Sequence, residues 1–212
     1  MYPDFFSSLP ATMEPLFRGT RQPWEALDRL QSELRELSGP SAPPNLPAGV
    51  VIQGVVRIGE GTVIEPGVVM KGPAIIGNNC EIRSGAYIRG FVITGDRCVI
   101  GHSTELIRCL LMDNVRADHF NYISDSIIGN GVHFGAGAKV ANLRFDKKEI
   151  IIDGQRTGRV KFGVVFGDRC QLGVNVAVGP GVLFQQNCWW TLSGLLPSGT
   201  YTRERLQQRR GV

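Results

Sequence analysis

The sequence predicts an all-β fold, a parallel β-helix built from hexapeptide repeats, and three observations predict it. Stepping by six from Ile52 gives Ile58, Ile64, Met70, Ile76, Ile82, Ile88, Thr94, Ile100, Leu106 and Met112, aliphatic except for the β-branched Thr94. The step resumes from Phe166 through Leu172, Val178, Phe184, Trp190 and Leu196, while Ile128, Phe134 and Val140 keep it in a shifted phase. Two residues ahead of each such position runs a second column of small or β-branched residues, among them Val56, Val68, Ala74, Cys80, Ala86, Val92 and Cys98. Third, glycine often follows the aliphatic position, as at Gly59, Gly77, Gly101, Gly135 and Gly173, where a tight turn favours it. A helix of 3.6 residues per turn cannot hold a six-residue step on one face, and a meander would alternate with a period of two. A short strand plus a turn cannot bury its apolar side alone, so the units must stack.

Three regions follow along the chain. Residues 1–48 form a helical segment and linker: Pro23 opens a helix to about Leu37, with Trp24, Leu27, Leu30, Leu34 and Leu37 on one face. Its expected place is over the exposed first coil, as a solenoid requires. Residues 49–200 are the β-helix. Its phase slips between Met112 and Ile128 and breaks at an inserted arm, 143–161, where Ile150 and Ile152 alternate and Asp153-Gly154 offers a hairpin turn. Residues 201–212 read as a basic, solubilising tail.

Composition narrows the function. Apolar residues make up 42% of the 212, and mean hydropathy is near zero. No run approaches a membrane-spanning length and no leader pattern opens the chain, so the expectation is a cytoplasmic protein with no membrane partner. Net charge is +4, of which Arg203, Arg205, Arg209 and Arg210 against Glu204 supply +3, leaving no broad basic face for nucleic acid. Four of the five cysteines, Cys80, Cys98, Cys170 and Cys188, fall in the small-residue column and read as buried thiols. The three histidines, His102, His119 and His133, are spaced 17 and 14 apart, which does not suit a zinc site, and no metal is expected. His119 lies where the phase slips, with Tyr122 three residues on and Glu105 about one coil behind. Glu105 is expected to hold its imidazole in a base-and-orienter pair.

The stretches IRG at 88–90, IGHSTE at 100–105, HFNYISDSIIG at 119–129 and GAGAKVANLRFD at 135–146 resemble one family. It is the acetyltransferase half of the bifunctional, archaeal-type enzymes that join glucosamine-1-phosphate acetylation to uridylyl transfer. The resemblance spans about residues 14–200. It implies a left-handed helix, a homotrimer with sites at subunit interfaces, and acetyl-CoA as co-substrate. It implies His119 as general base and Glu105 as its orienting acid. It also implies substrate contacts from Arg89, Tyr122 and Asn142. The family lysine is Ile107 here, with Arg108 adjacent to replace it, and the family asparagine is His133. At the cofactor end the family serine is Val174, and Lys148 in the arm is a further cofactor contact. Direct transfer to the amine of an amino-sugar phosphate follows, without an acyl-enzyme. The nucleotidyltransferase region has no counterpart, so a separate nucleotidyltransferase is a possible partner. A non-catalytic trimeric scaffold and an acyltransferase for another amine stay open as alternatives.

Overall fold

A computed structural model describes residues 2–39, 46–191 and 194–208. The expected β-helix is present: short strands stack in parallel into a left-handed helix with three faces. The first face stacks eight strands from Val51–Gln53 to Gly194–Leu196. The second runs from Val56–Ile58 to Gly199–Tyr201, and the third from Val63–Ile64 to Trp189–Trp190. The turn between the second and third faces needs a left-handed residue in every coil: Gly61, Asn79, Arg97, Asn114, Gly131, Arg169 and Asn187 stack there with φ between 52° and 70°. Asparagine and glycine tolerate that conformation best.

Register explains the phase slip. Tyr87 pairs with Glu105, 18 residues on, but Val92 pairs with Cys109, only 17 on. One residue is missing at the corner between Leu106 and Cys109, and the strands Glu105–Leu111 and Tyr122–Ile128 run through that corner without a break. The inward column therefore passes from Leu106 to Leu111, and Met112, which continued the six-residue step, packs outside the prism. Cys109 takes the small-residue position, so all five cysteines are free and buried. Burial pushes the Cys109 and Cys170 thiols well above their ordinary range and Cys188 up to about 11.

The N-terminal segment does not sit over the first coil. It holds two helices, α1 (Glu14–Phe17) and, after a 3-10 turn at Pro23–Glu25, α2 (Ala26–Arg35), and it lies flat on the second face. The reason is in that face's outward residues: Ile93, Leu110, Ile127, Val165 and Leu183 are apolar and buried under Phe6, Phe17, Trp24, Leu27 and Leu30. The second face is thus apolar on both sides, like a strand layer inside an α/β protein. At the other end the basic tail is not merely a solvated extension. Tyr201 packs at a tilt against Phe184, ring centres 5.8 Å apart, and Leu206 of α3 (Arg203–Gln208) enters the core and closes the last coil. Arg209 and Arg210 lie outside the described residues.

Asp168, fully buried, fastens the N-terminal segment. Its Oδ2 accepts from the Ser7 amide at 2.8 Å and hydroxyl at 2.5 Å, and its Oδ1 accepts from the Asn130 amide at 2.8 Å. Asp168→Ala strands these donors, and the expected loss is about 1–3 kcal/mol per unsatisfied group, read as a lower urea midpoint at constant slope.

Candidate active site

The corner between the third and first faces presents His119. It ends the strand Arg116–His119, in register with His102, and its imidazole is exposed with no side-chain hydrogen bond among the described residues. Its backbone is fixed instead. The buried Asn121 accepts from the His119 amide at 3.3 Å and donates to the carbonyls of Gly135 at 2.8 Å and Ala138 at 3.3 Å. The Asn121 amide in turn donates to Thr104 Oγ1 at 3.2 Å. The six-residue step places Thr104 in the small-residue column but does not single out Asn121, although polar residues in an apolar column are the signal that such a network leaves. Phe120 beside His119 is exposed and meets His102 edge-on at 5.3 Å.

Tyr122 opens the next strand on the first face, in register with Glu105 behind it and Lys139 ahead. Glu105 does not reach for His119 as expected. Tyr122, 17 residues on, stacks over Glu105, and its carboxylate accepts from Arg89 Nη1 at 2.6 Å. The Arg89 guanidinium also lies over the Tyr87 ring at 5.7 Å, and the Lys71 ammonium covers the same ring at 5.4 Å. Glu105 beside it raises the Arg89 pKa further. His119, Tyr122, Glu105 and Arg89 therefore share the first face and its edge.

Other predicted residues go elsewhere. Arg108, expected to face a substrate, makes a bidentate pair with the buried Asp125, Nε to Oδ1 and Nη2 to Oδ2, both at 2.7 Å. Asn142 donates its amide to the same Asp125 Oδ2 at 2.5 Å. Arg108 and Asp125 occupy the shortened corner with φ of 49° and 46°, and the pairing follows from the 17-residue spacing that stacks one over the other. His133 stands on the third face in register with Arg116, its Nε2 3.7 Å from Asp118 Oδ2. Arg116 grips Asp118 with two bonds of 3.1 and 3.2 Å, so His133 belongs to a charged cluster away from Tyr122 and Arg89.

The arm is pinned rather than free. Its strands Ile151–Ile152 and Gln155–Arg156 turn through Asp153 and Gly154, both with positive φ, while Ile150 and Ile152 pack beneath it with Phe162 and Leu183. Its opening residues wall an apolar groove of about 580 Å³ where the first face of the last coils turns into the second, between Leu143 and Phe145 on one side and Pro180, Leu195 and Pro197 on the other. Lys148 lies beyond, near Arg144, Glu149 and Arg156. Val174 is exposed but does not line the groove. The Asp125 network ties this arm to the solenoid. Asp125→Ala leaves Arg108 unpaired, for an expected cost of about 2–3 kcal/mol, below the fully buried case because Arg108 keeps some solvent. Hydrogen exchange should rise at residues 142–146 in that variant, while the third-face strands keep their protection.

Known proteins resemble this chain. The family described as "GMPPB C-terminal domain" matches residues 70–157. The bifunctional protein GlmU of Methanocaldococcus jannaschii is 38% identical over 178 residues, 82% of this chain and 43% of that protein. A bifunctional sugar-1-phosphate nucleotidylyltransferase/acetyltransferase of Sulfurisphaera tokodaii is 41% identical over 87 residues, 39% of this chain and 22% of its own length. Among solved structures, the polysialic acid O-acetyltransferase OatWY matches with 17% identity and a TM-score of 0.43, over 72% of this chain and 81% of that one. The chain spans about two fifths of the length of the GlmU relative. It is a hexapeptide-repeat β-helix protein that resembles, over four fifths of its own length, part of the archaeal-type bifunctional GlmU proteins.

Proposed function

We propose that this protein is an acetyl-CoA-dependent N-acetyltransferase acting on an amino-sugar phosphate such as glucosamine-1-phosphate. The observation that carries the reading is the first-face array, with exposed His119 on a rigid corner beside Tyr122, Glu105 and Arg89. Arg89 offers a guanidinium to the acceptor's phosphate, for which its planar donor edge is suited. Lys71 and Tyr87 extend that polar patch. The sugar amine attacks the thioester carbonyl carbon, the C–N bond forms, and the C–S bond breaks. His119 takes the amine proton and passes it to the departing thiolate. A direct route agrees with five buried cysteines, none of them placed as a nucleophile.

The apolar groove bounded by the arm suits the pantetheine portion of acetyl-CoA, with Lys148 beyond it for the anionic end. A homotrimer in a cytoplasmic setting completes the reading. The N-terminal segment covers the second face, which leaves the first and third for contacts between copies, and there Phe120, Val174, Trp189 and Leu195 are exposed. One observation favours a non-catalytic trimeric scaffold instead: Glu105 is committed to Arg89, and His119 has no acid partner among the described residues.

Release of free thiol from acetyl-CoA with glucosamine-1-phosphate tests the reading. The native chain is expected to turn over, His119→Ala to lose about 10²–10⁴-fold in kcat, and Arg89→Ala to raise KM for the phosphorylated acceptor more than for glucosamine. No release from the folded native protein would withdraw the glucosamine-1-phosphate assignment and leave an acyltransferase for another amine or the scaffold.

A further inference from the structure

A polar pocket of about 380 Å³ lies at the corner between the first and second faces, away from the His119 edge. It is lined by Asp28 and Gln31 from α2, Arg108 and Asp125 from the solenoid, and residues 158–161 from the returning limb of the arm. Three cations meet there, Arg108, Arg159 and Lys161, against the carboxylates of Asp28 and Asp125. Both carboxylates are already engaged. Asp125 accepts two bonds from Arg108 and one from Asn142, and Asp28 is paired with Arg159 Nη1. The cations are not used up. Arg108 spends Nε and Nη2 on Asp125, which leaves Nη1 without a protein partner among the described residues. Arg159 spends Nη1 on Asp28 and Nε on the Lys161 carbonyl at 3.3 Å, which leaves Nη2. The Lys161 ammonium has no carboxylate within 4 Å among the described residues.

We propose that this pocket binds a phosphate group, either inorganic phosphate or the phosphoryl group of a small metabolite, independently of the first-face site. Two half-used guanidinium edges and one free ammonium offer charge-assisted donors from three directions, the arrangement that a multi-oxygen anion satisfies and a monovalent chloride does not. The excess of one positive charge favours an anion: Asp125 is taken up by Arg108 and Asn142, and Asp28, held by Arg159 through Oδ1, is left as a single carboxylate facing three cations. The bound group would bridge α2, the shortened corner and the arm, three parts of the chain far apart in sequence. Because Asp125 also holds Asn142 at the start of the arm, occupancy would steady the wall of the apolar groove.

Titration calorimetry on the full chain without acetyl-CoA tests this, with inorganic phosphate and a hexose 6-phosphate as the probes. The Arg89→Ala variant is the background, so that the first-face cation cannot supply the signal. Saturable binding is expected in this background and in His119→Ala, and the melting temperature should rise with phosphate concentration. Lys161→Glu, at an exposed position, should weaken binding about tenfold or more, the worth of one charge-assisted hydrogen bond. Lys161→Arg should restore it. Tighter binding of the sugar phosphate assigns the site to a metabolite, and equal binding assigns it to inorganic phosphate. No saturable binding in the millimolar range, loss of binding with Arg89→Ala alone, or binding unchanged in Lys161→Glu overturns the proposal. None of these results depends on acetyl transfer, so the two readings fail separately.

Discussion

Every coil must lie in register on the one before it, and the rest of the structure depends on that constraint. A parallel ladder of two- and three-residue strands has few hydrogen bonds per strand, so its stability comes from alignment of identical positions through the stack. The ladder at the corner of the second and third faces shows how this is enforced. Asn78, Asp96, Asp113, Asn130 and Asp168 each accept, through a side-chain oxygen, the backbone amide of the coil before, at 2.8–3.1 Å. When one residue is lost at the opposite corner, the ladder keeps its step and the change is absorbed at Arg108 and Asp125. Those two residues take left-handed backbone and neutralise each other. The shortened corner is therefore both a geometric accommodation and the anchor of the arm.

The second consequence concerns which surfaces remain. Helices on one flank make the second face part of a two-layer core, and the last member of the asparagine and aspartate ladder, Asp168, is the point where the N-terminal segment is tied in. The solenoid core and the outer helical layer are thus two apolar bodies that share one sheet. What is left for chemistry is the first face, polar at its middle coils around Arg89, Glu105 and Tyr122 and apolar towards its end around Leu195. His119 stands at its margin.

Much of this was written in the sequence. The step of six from Ile52 to Leu106 placed the core correctly, because regular spacing and regular stacking are the same fact. It failed at Met112, since one missing residue moves every later position and the step alone does not say where the residue is lost. The position of the N-terminal helices also left a trace: the central residue of the second-face triplets changes from Arg57 to Ile75, Ile93, Leu110, Ile127, Val165 and Leu183, and an outward apolar column needs a cover. The candidate site was legible less evenly. Arg89, Glu105 and Tyr122 come together because their spacing follows the coil. The pairing of Glu105 with His119 did not form, since 14 residues fall short of a full coil. The resemblance places Arg108 and Asn142 against a substrate, yet both end on Asp125, a buried carboxylate that no periodicity singles out.

On the function proposed above, the first face transfers an acetyl group to the nitrogen of an amino-sugar phosphate. Mass spectrometry of the product formed from acetyl-CoA and glucosamine-1-phosphate, with the acyl position fixed by nuclear magnetic resonance, tests it most directly. The expected product carries one acetyl group, linked to nitrogen, and forms only with chain that retains His119. A sugar phosphate recovered unchanged, or acetylated on oxygen, would contradict it.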